Sequence, residues 1–111
     1  TATELATAAQ HAIPSTIVVF NDGAYGNVHR IQKTRFGPHR TIASTLENPD
    51  FAKLVDSFGV HYAHADSPAT LMPSLADAIG RDQPCVVEVS VEEMPDPWPF
   101  LRLPPNRGAR A

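Results

Sequence analysis

Residues 15–26 read STIVVFNDGAYG, a short apolar run followed at once by a turn that contains two glycines. The run from Ile17 to Phe20 is rich in β-branched side chains and does not alternate with polar residues. This pattern is typical of a strand in a parallel sheet that is covered on both faces. The sequence therefore predicts a strand over residues 15–20, buried on both faces, and a loop over residues 21–26.

The segments that flank this strand have the pattern of helices. Before it, an alanine-rich stretch begins at Thr3, which can cap a helix, and ends before Pro14. After it, Val28 and Ile31 begin a weaker helical pattern that stops near Gly37. We therefore expect one helix on each side of the first strand.

The middle of the chain predicts a third helix and a second strand. We expect Asn48 to cap the helix, with Pro49 at its first position, and Gly59 to end it. Apolar residues between these ends recur at the spacing of one helix face. Residues 60–64 then predict a short strand.

The fourth helix can begin at either of two capping residues, Ser67 or Thr70. We favour Thr70, because a helix that begins there keeps Pro73 in its first turn, where backbone N–H groups lack helical partners anyway. Gly80 is expected to end this helix. The apolar run over residues 85–91 predicts the third strand.

The order of these elements is helix, strand, helix, helix, strand, helix, strand. Such alternation predicts the α/β class, with three α/β/α layers around a mainly parallel sheet. We assign residues 1–92 to this domain and residues 93–111 to a proline-rich, extended C-terminal tail. Because the chain begins without Met inside a helical pattern, and three strands make a thin sheet, we expect it to belong to a longer protein.

Composition argues against several classes of protein. A net charge of −3 and a pI near 5.9 argue against a nucleic-acid binder. The sequence has neither an apolar run of about eighteen residues, which a membrane span requires, nor the pattern of a signal peptide. Its single cysteine, Cys85, excludes a multi-cysteine zinc site and is expected to be an inert core residue. We expect a cytoplasmic protein.

The turn after the first strand is the candidate ligand site. In open α/β sheets, ligands bind beyond the carboxyl ends of the strands, where this turn lies. The side-chain oxygen of Asn21 and the carbonyl of Gly23 are hard donors of the kind that Mg²⁺ prefers, and the next helix directs N–H groups toward a phosphate. An ordinary turn is the alternative that the spacing leaves open. Six basic residues between His29 and Arg40 could form a funnel for an acidic ligand or, as we favour, a solvated face.

Four stretches of the sequence resemble one family in their order and spacing. They are ELATA at residues 4–8, IVVFNDGAYG at 17–26, NPDFAKL at 48–54 with FG at 58–59, and QPCVVEV at 83–89. Together they resemble the C-terminal cofactor-binding domain of thiamine-diphosphate-dependent enzymes. That superfamily includes acetolactate synthase, pyruvate decarboxylase and benzoylformate decarboxylase. The resemblance covers residues 1–92 and implies a partial thiamine-diphosphate-binding fold, truncated at its N-terminus.

The resemblance implies a role for each residue of the turn. Asn21 and Gly23 match positions that bind Mg²⁺ through a side chain and a backbone carbonyl, and this ion holds the cofactor diphosphate. Asn27 and Ile31 match positions that face the substrate. The positions implied to bind thiamine diphosphate are Asn21, Asp22, Gly23, Ala24, Tyr25 and Gly26.

The sequence departs from the family pattern in three ways. Phe20 stands where many relatives have an Asn, and Asn27 is neutral, so that it cannot act as an acid or a base. The Gly-Asp-Gly half of the metal motif, and the pyrimidine-binding domain that carries the family's catalytic glutamate, do not occur in these 111 residues. We therefore expect no catalytic residue in this chain and no activity from it alone.

The resemblance implies an enzyme that makes or breaks a carbon–carbon bond next to the carbonyl of a 2-oxo acid. We favour an acetolactate-synthase-like carboligase over a decarboxylase. The implied partners are a small-molecule 2-oxo acid and a pyrimidine-binding domain of the same or a partner subunit, in a homodimer or homotetramer, and FAD could bind to another domain. Two alternatives are a non-catalytic homologue that serves as a binding or regulatory subunit and an unrelated flavodoxin-like binding domain.

The C-terminal tail carries two aromatic residues, Trp98 and Phe100, among its prolines. In the family, such segments often fold across the active site. These aromatic side chains could therefore anchor a lid or a subunit contact. A partly ordered tail is the alternative.

Overall fold

The computed structural model of the protein describes residues 2–96 and 100–101. Within these residues the chain forms strands and helices in the predicted order, and each predicted element is confirmed with small shifts at its ends. The elements are α1 (Glu4–Gln10), β1 (Thr16–Asn21), α2 (Gly26–Phe36), α3 (Phe51–Asp56), β2 (His61–Ala65), α4 (Pro68–Gly80) and β3 (Cys85–Ser90). Among the described residues, none of the helices combines the length and the apolar character needed to cross a membrane.

The three strands form one parallel sheet in the order β1-β3-β2. Strand β3 lies in the middle, where Cys85 pairs with Thr16 of β1 and with His61 of β2. The chain passes from strand to strand through helices, as parallel neighbours require. The carboxyl ends of β1 and β3 meet, with Asn21 opposite Ser90. The loop after β1 therefore lies at the edge where α/β sheets bind ligands.

Helices cover both faces of the sheet, which confirms the α/β/α layers. On one face, Leu5 of α1 belongs to an apolar cluster with Val86 of β3. On the other face, Ala78 of α4 belongs to a cluster with Val87. Successive residues of β3 thus contribute to opposite layers of the core. Cys85 is completely buried in the second cluster, as predicted.

The prediction that β1 is buried on both faces is wrong. Phe20 is 63% exposed, and Ile17 and Val18 are exposed as well. The reason is that β1 is an edge strand of the described sheet, whereas β3 has a neighbour on each side and is buried from Cys85 to Val89. The apolar run correctly indicates a parallel sheet, but it does not distinguish an edge strand from a middle one.

The predicted cap of α3 is wrong. The N-cap is Asp50, whose carboxylate accepts a hydrogen bond from the backbone N–H of Lys53 at 3.1 Å. Asn48, two residues earlier, donates its side-chain amide to Asn21 instead. The shift places Asn48 beside the loop that follows β1.

The predicted cap of α4 is wrong as well. Ser67 caps this helix, and Thr70 completes a reciprocal capping box with it. Pro68 occupies the first helical turn, where its missing N–H costs nothing, and Pro73 lies inside the helix. The capping box thus outweighs the preference of Pro73 for the first turn.

The residues that follow β3 run beside α2. Glu93 forms an ion pair with Lys33, and Asp96 forms one with Arg30. Trp98 lies outside the described residues, and Phe100 is exposed. A lid formed by the tail, and a domain boundary after residue 92, therefore stay predictions.

Candidate functional site

The loop after β1 is held in place by a second loop. The N–H of Tyr25 donates to the carbonyl of Ser44 at 2.8 Å, and the N–H of Leu46 donates to the carbonyl of Gly23 at 2.8 Å. An antiparallel bridge lies between these two hydrogen bonds. The turn is therefore part of a larger ordered arrangement and not an isolated bend.

A pocket of about 180 Å³ opens beside this loop, where α2 begins. Two carboxylates, an imidazole, a hydroxyl and three small residues line it. The lining residues are Asp22, Gly23, Ala24, Gly26, His29, Thr45 and Glu93. Four of the six positions predicted to bind the cofactor thus share one pocket, whereas Asn21 and Tyr25 do not line it.

Asp22 and Gly26 pack directly against each other at the start of α2. Asp22 Oδ1 accepts a hydrogen bond from the N–H of Ala24 at 3.1 Å, and its Oδ2 occupies the space that a Cβ on residue 26 would need. Gly23 has a φ of +65°, in the left-handed region that glycine adopts without strain. The loop therefore uses Gly23 for its backbone angle, and the Asp22 carboxylate fills the space beside Gly26.

The side chain of Asn21 is held by three hydrogen bonds within the fold. Its Nδ2 donates to Glu88 Oε1 at 2.7 Å. Its Oδ1 accepts from the N–H of Gly23 at 3.0 Å and from Asn48 Nδ2 at 2.6 Å. Two donors of the chain thus engage both lone pairs of Oδ1. The predicted binding of Mg²⁺ by Asn21 and Gly23 stays a prediction.

Glu88 and its partners are candidate site residues that our sequence reasoning missed. Glu88 is only 8% exposed, and the Tyr62 hydroxyl donates to its Oε2 at 2.6 Å. Burial, together with this hydrogen bond and the negative charge of Glu88, raises the pKa of Tyr62 to about 12. A signal was present in the sequence, because Glu88 follows three apolar residues in a strand with no other charged residue, and a buried carboxylate needs specific partners.

His29 lines the pocket, and a second network of hydrogen bonds holds its ring. Its Nδ1 lies 2.8 Å from Ser44 Oγ, which donates to Gln32 Oε1 at 2.9 Å. The backbone of Ile42 orients the Gln32 amide, because its N–H donates to Oε1 and its carbonyl accepts from Nε2. Since the single hydroxyl proton of Ser44 is donated to Gln32, Ser44 Oγ accepts from the N–H at His29 Nδ1.

The two predicted substrate-facing residues do not line this pocket. Asn27 is exposed, and its side-chain oxygen accepts a hydrogen bond from Arg30 Nη2 at 2.7 Å. Ile31 lies one turn further along α2 and is 38% exposed. Their roles toward a substrate stay predictions.

Two of the basic residues of α2, Arg30 and Lys33, are paired with acidic side chains. Lys33 and Arg30 contact Glu93 and Asp96, as described above. The hydrogen bond from Lys33 lowers the pKa of Glu93 below its ordinary value. This pairing favours a charge-balanced helix face over a funnel for acidic ligands.

The donor set of the pocket suits a hard cation beside a phosphate group. Asp22 supplies a carboxylate, and Mg²⁺ prefers such oxygens while it keeps few protein ligands. Across residues 2–96 and 100–101, no group of three or more His, Cys, Asp or Glu side chains is arranged to hold a metal ion. An ion held here would therefore take its other ligands from phosphate oxygens, water and backbone carbonyls. Asp22 lines this pocket, whereas Asn21 does not.

A family model matches residues 1–89, and it describes the C-terminal TPP binding domain of thiamine pyrophosphate enzymes. The chain belongs to this family. The resemblance carried by the four sequence stretches is thereby confirmed, and the unrelated flavodoxin-like alternative is excluded. Thiamine pyrophosphate is the same compound as thiamine diphosphate.

Relatives with the name acetolactate synthase match most of this chain. The chain is 30% identical over 105 residues to a probable acetolactate synthase large subunit from Methanocaldococcus jannaschii. The match covers 95% of this chain and 17% of that relative. It is 28% identical over 98 residues to the acetolactate synthase isozyme 2 large subunit of Escherichia coli. This match covers 88% of this chain and 18% of that relative. The chain thus spans about a sixth of the length of these relatives.

A solved structure shares the fold. It is the thiamine diphosphate-dependent 4-hydroxybenzoylformate decarboxylase of Rhodococcus jostii RHA1, with a TM-score of 0.72 and 25% sequence identity. The match covers 82% of this chain and 17% of that chain. The predicted α/β fold of this family is therefore confirmed.

Proposed function

We propose that this chain forms the diphosphate and Mg²⁺ portion of a thiamine diphosphate site in a longer enzyme. The observation that carries the proposal is the pocket beyond the carboxyl end of β1, which contains the Asp22 carboxylate and adjoins the start of α2. Its position fits the rule for ligand sites in α/β sheets, and its donors fit a metal–phosphate pair. Membership of the TPP-binding family supports the identity of the cofactor.

Each residue of the pocket has a distinct task in this proposal. Asp22 provides the charged oxygen for Mg²⁺, and Gly23 and Gly26 allow the diphosphate to approach the backbone closely. The N–H groups at the start of α2, near Gly26, stabilise the negative charge of the phosphates. Asn21 supports the loop through its hydrogen bonds. When bound, thiamine diphosphate supplies a carbanion that adds to a carbonyl carbon, and the protein supplies orientation and charge.

We further propose that the complete enzyme makes a carbon–carbon bond from 2-oxo acids. The support is the name acetolactate synthase on the relatives from Methanocaldococcus jannaschii and Escherichia coli, which match most of this chain. A decarboxylase that acts on a single 2-oxo acid is the second candidate, and the Rhodococcus decarboxylase with the same fold supports it. We also propose that the complete enzyme has a pyrimidine-binding domain, forms a homodimer or homotetramer, and is cytoplasmic. The binding of FAD to another domain stays a prediction.

The stoichiometry of the reaction separates these candidates. The full-length protein that carries this sequence is freed of metal and cofactor, reconstituted with thiamine diphosphate and Mg²⁺, and supplied with pyruvate as the simplest 2-oxo acid. A carboligase releases one CO₂ for every two pyruvate molecules and joins the remaining carbons, whereas a decarboxylase releases one CO₂ and one aldehyde for each pyruvate. We expect the first result.

Two other outcomes would lead to a different function. Cofactor binding without any turnover of 2-oxo acids would favour a non-catalytic binding subunit. Turnover that persists without thiamine diphosphate and Mg²⁺ would overturn the proposal.

A further inference from the structure

Glu88 is a buried carboxylate in the middle strand, and both of its oxygens are occupied. Oε1 accepts from Asn21 of β1, and Oε2 accepts from Tyr62 of β2. A buried carboxylate is costly unless its oxygens receive hydrogen bonds. Glu88 therefore connects side chains of all three strands through one charged group.

The carboxylate also determines which way the Asn21 amide is turned. An ionised carboxylate only accepts hydrogen bonds, so the NH₂ end of Asn21 must face Glu88. The oxygen end then faces the N–H of Gly23 and the side-chain NH₂ of Asn48. With the amide reversed, Asn21 would bring its NH₂ group against two donors.

The orientation of the Asn21 amide affects the pocket through its hydrogen bond with Gly23. The N–H of Gly23 donates to Asn21 Oδ1 at 3.0 Å, and Gly23 lines the pocket together with Asp22 and Ala24. Asn48 ties the loop before α3 to the same oxygen at 2.6 Å. The chain of contacts thus leads from Glu88 through Asn21 to the loop that carries Asp22.

We propose that Glu88 is a positioning residue for the ligand loop 22–25 and acts through the Asn21 amide. It does not touch the ligand, but it holds Gly23 and hence Asp22 in the arrangement that a metal–diphosphate ligand needs. The identity of that ligand rests on the proposed function, whereas the positioning of the loop does not.

The first test follows the loop without any ligand. Amide hydrogen exchange is measured on residues 21–26 of the cofactor-free, full-length protein. We expect Glu88→Ala and Asn21→Ala to raise the exchange rate of this segment by about tenfold, the factor expected for losing one charge-assisted hydrogen bond. The double variant should exchange no faster than either single variant, because both act through one contact.

The conservative variant and a matched control complete this test. Glu88→Gln can still accept from Asn21 and donate to the Tyr62 oxygen, so it should restore most of the protection that Glu88→Ala loses. His64→Ala is the control, because His64 Nε2 lies 2.7 Å from Ser90 Oγ, also between β2 and β3, and this side-chain contact does not include a residue of the loop. If Glu88→Ala does not fold, Asn21→Ala and Glu88→Gln still decide the question. Wild-type exchange in a folded Glu88→Ala, or equal exchange in wild type, Asn21→Ala and His64→Ala, would overturn the proposal.

The second test adds the ligand. Binding of thiamine diphosphate with Mg²⁺ is titrated in the same proteins, and we expect weaker binding in Asn21→Ala and Glu88→Ala than in His64→Ala. Failure of the wild type to bind would refute the proposed function alone, since the exchange result still decides the role of Glu88. Normal binding by variants whose loop exchanges fast would show that the loop position does not matter for the ligand and would overturn the positioning role.

Discussion

At the scale of single residues, Gly26 controls where the Asp22 carboxylate lies. A Cβ on residue 26 would overlap Asp22 Oδ2, so Gly26→Ala must displace that carboxylate. We expect this variant to bind Mg²⁺ about tenfold more weakly in the presence of thiamine diphosphate, a usual effect of disturbing a group that supports a metal site. Gly80→Ala is the matched control for calorimetric titration, because nothing lies within 4 Å of a Cβ there. Equal affinity in the two variants would contradict the placement of Asp22.

The raised pKa of Tyr62 leads to a separate prediction about the stability of the fold at alkaline pH. Burial and the contact with Glu88 raise the pKa of Tyr62 from 10.0 to about 12, so the folded protein holds this proton more tightly than the unfolded chain. The resulting stabilisation is fully present below pH 10 and is lost as the pH rises toward 12. We expect Tyr62→Phe to remove this loss from the alkaline stability profile. Tyr25→Phe, which removes an exposed ring outside the network, should retain it, and identical profiles for wild type and Tyr62→Phe would refute the assignment.

The loop that carries the candidate site could be predicted from sequence, but the contacts that support this loop could not. The end of β1 and the glycines of the turn are local signals. The partners of Asn21 are not local, because Glu88 and Asn48 lie 67 and 27 residues away in the chain. Sequence spacing therefore could not show that Gly23 and Asn48 donate hydrogen bonds to the Asn21 oxygen. It also could not show that Asp22 lines the pocket and Asn21 does not.

At the scale of elements, the cap of α4 is the part of the prediction that is easiest to test. Ser67 Oγ accepts from the N–H of Thr70, and loss of such a cap costs about 1 kcal/mol. We expect Ser67→Ala to speed amide exchange in the first turn of α4 by about fivefold. Ser74→Ala, which removes a hydroxyl bonded back to the carbonyl of Thr70 in the same helix, should change exchange little. Similar exchange in both variants would mean that Ser67 does not cap the helix.

The order of the elements was predictable because each one carries a local signal. Strand β3 shows an apolar run, and α4 ends at Gly80 as glycine preference predicts. The choice between Ser67 and Thr70 depended on hydrogen bonds that spacing alone leaves undetermined. The exposure of β1 depended on its place in the sheet, which only long-range pairing with β3 establishes.

At the scale of the whole molecule, family membership and site geometry agree on one interpretation. The chain matches the C-terminal TPP binding domain over residues 1–89, and its pocket lies at the carboxyl edge of the sheet. Since the chain spans about a sixth of its acetolactate synthase relatives, we infer that a complete active site needs residues beyond those described.

In the proposed function, this pocket holds thiamine diphosphate through Mg²⁺ and Asp22. The most direct measurement is a calorimetric titration of thiamine diphosphate into metal-free, full-length protein, with and without Mg²⁺, in wild type, Asp22→Ala and Asp82→Ala. Asp82 is an exposed aspartate in the loop that precedes β3, at the opposite edge of the sheet. We predict saturable, Mg²⁺-dependent binding in wild type and Asp82→Ala and a severe loss in Asp22→Ala. Binding of equal strength in all three proteins, or binding that does not require Mg²⁺, would contradict the claim.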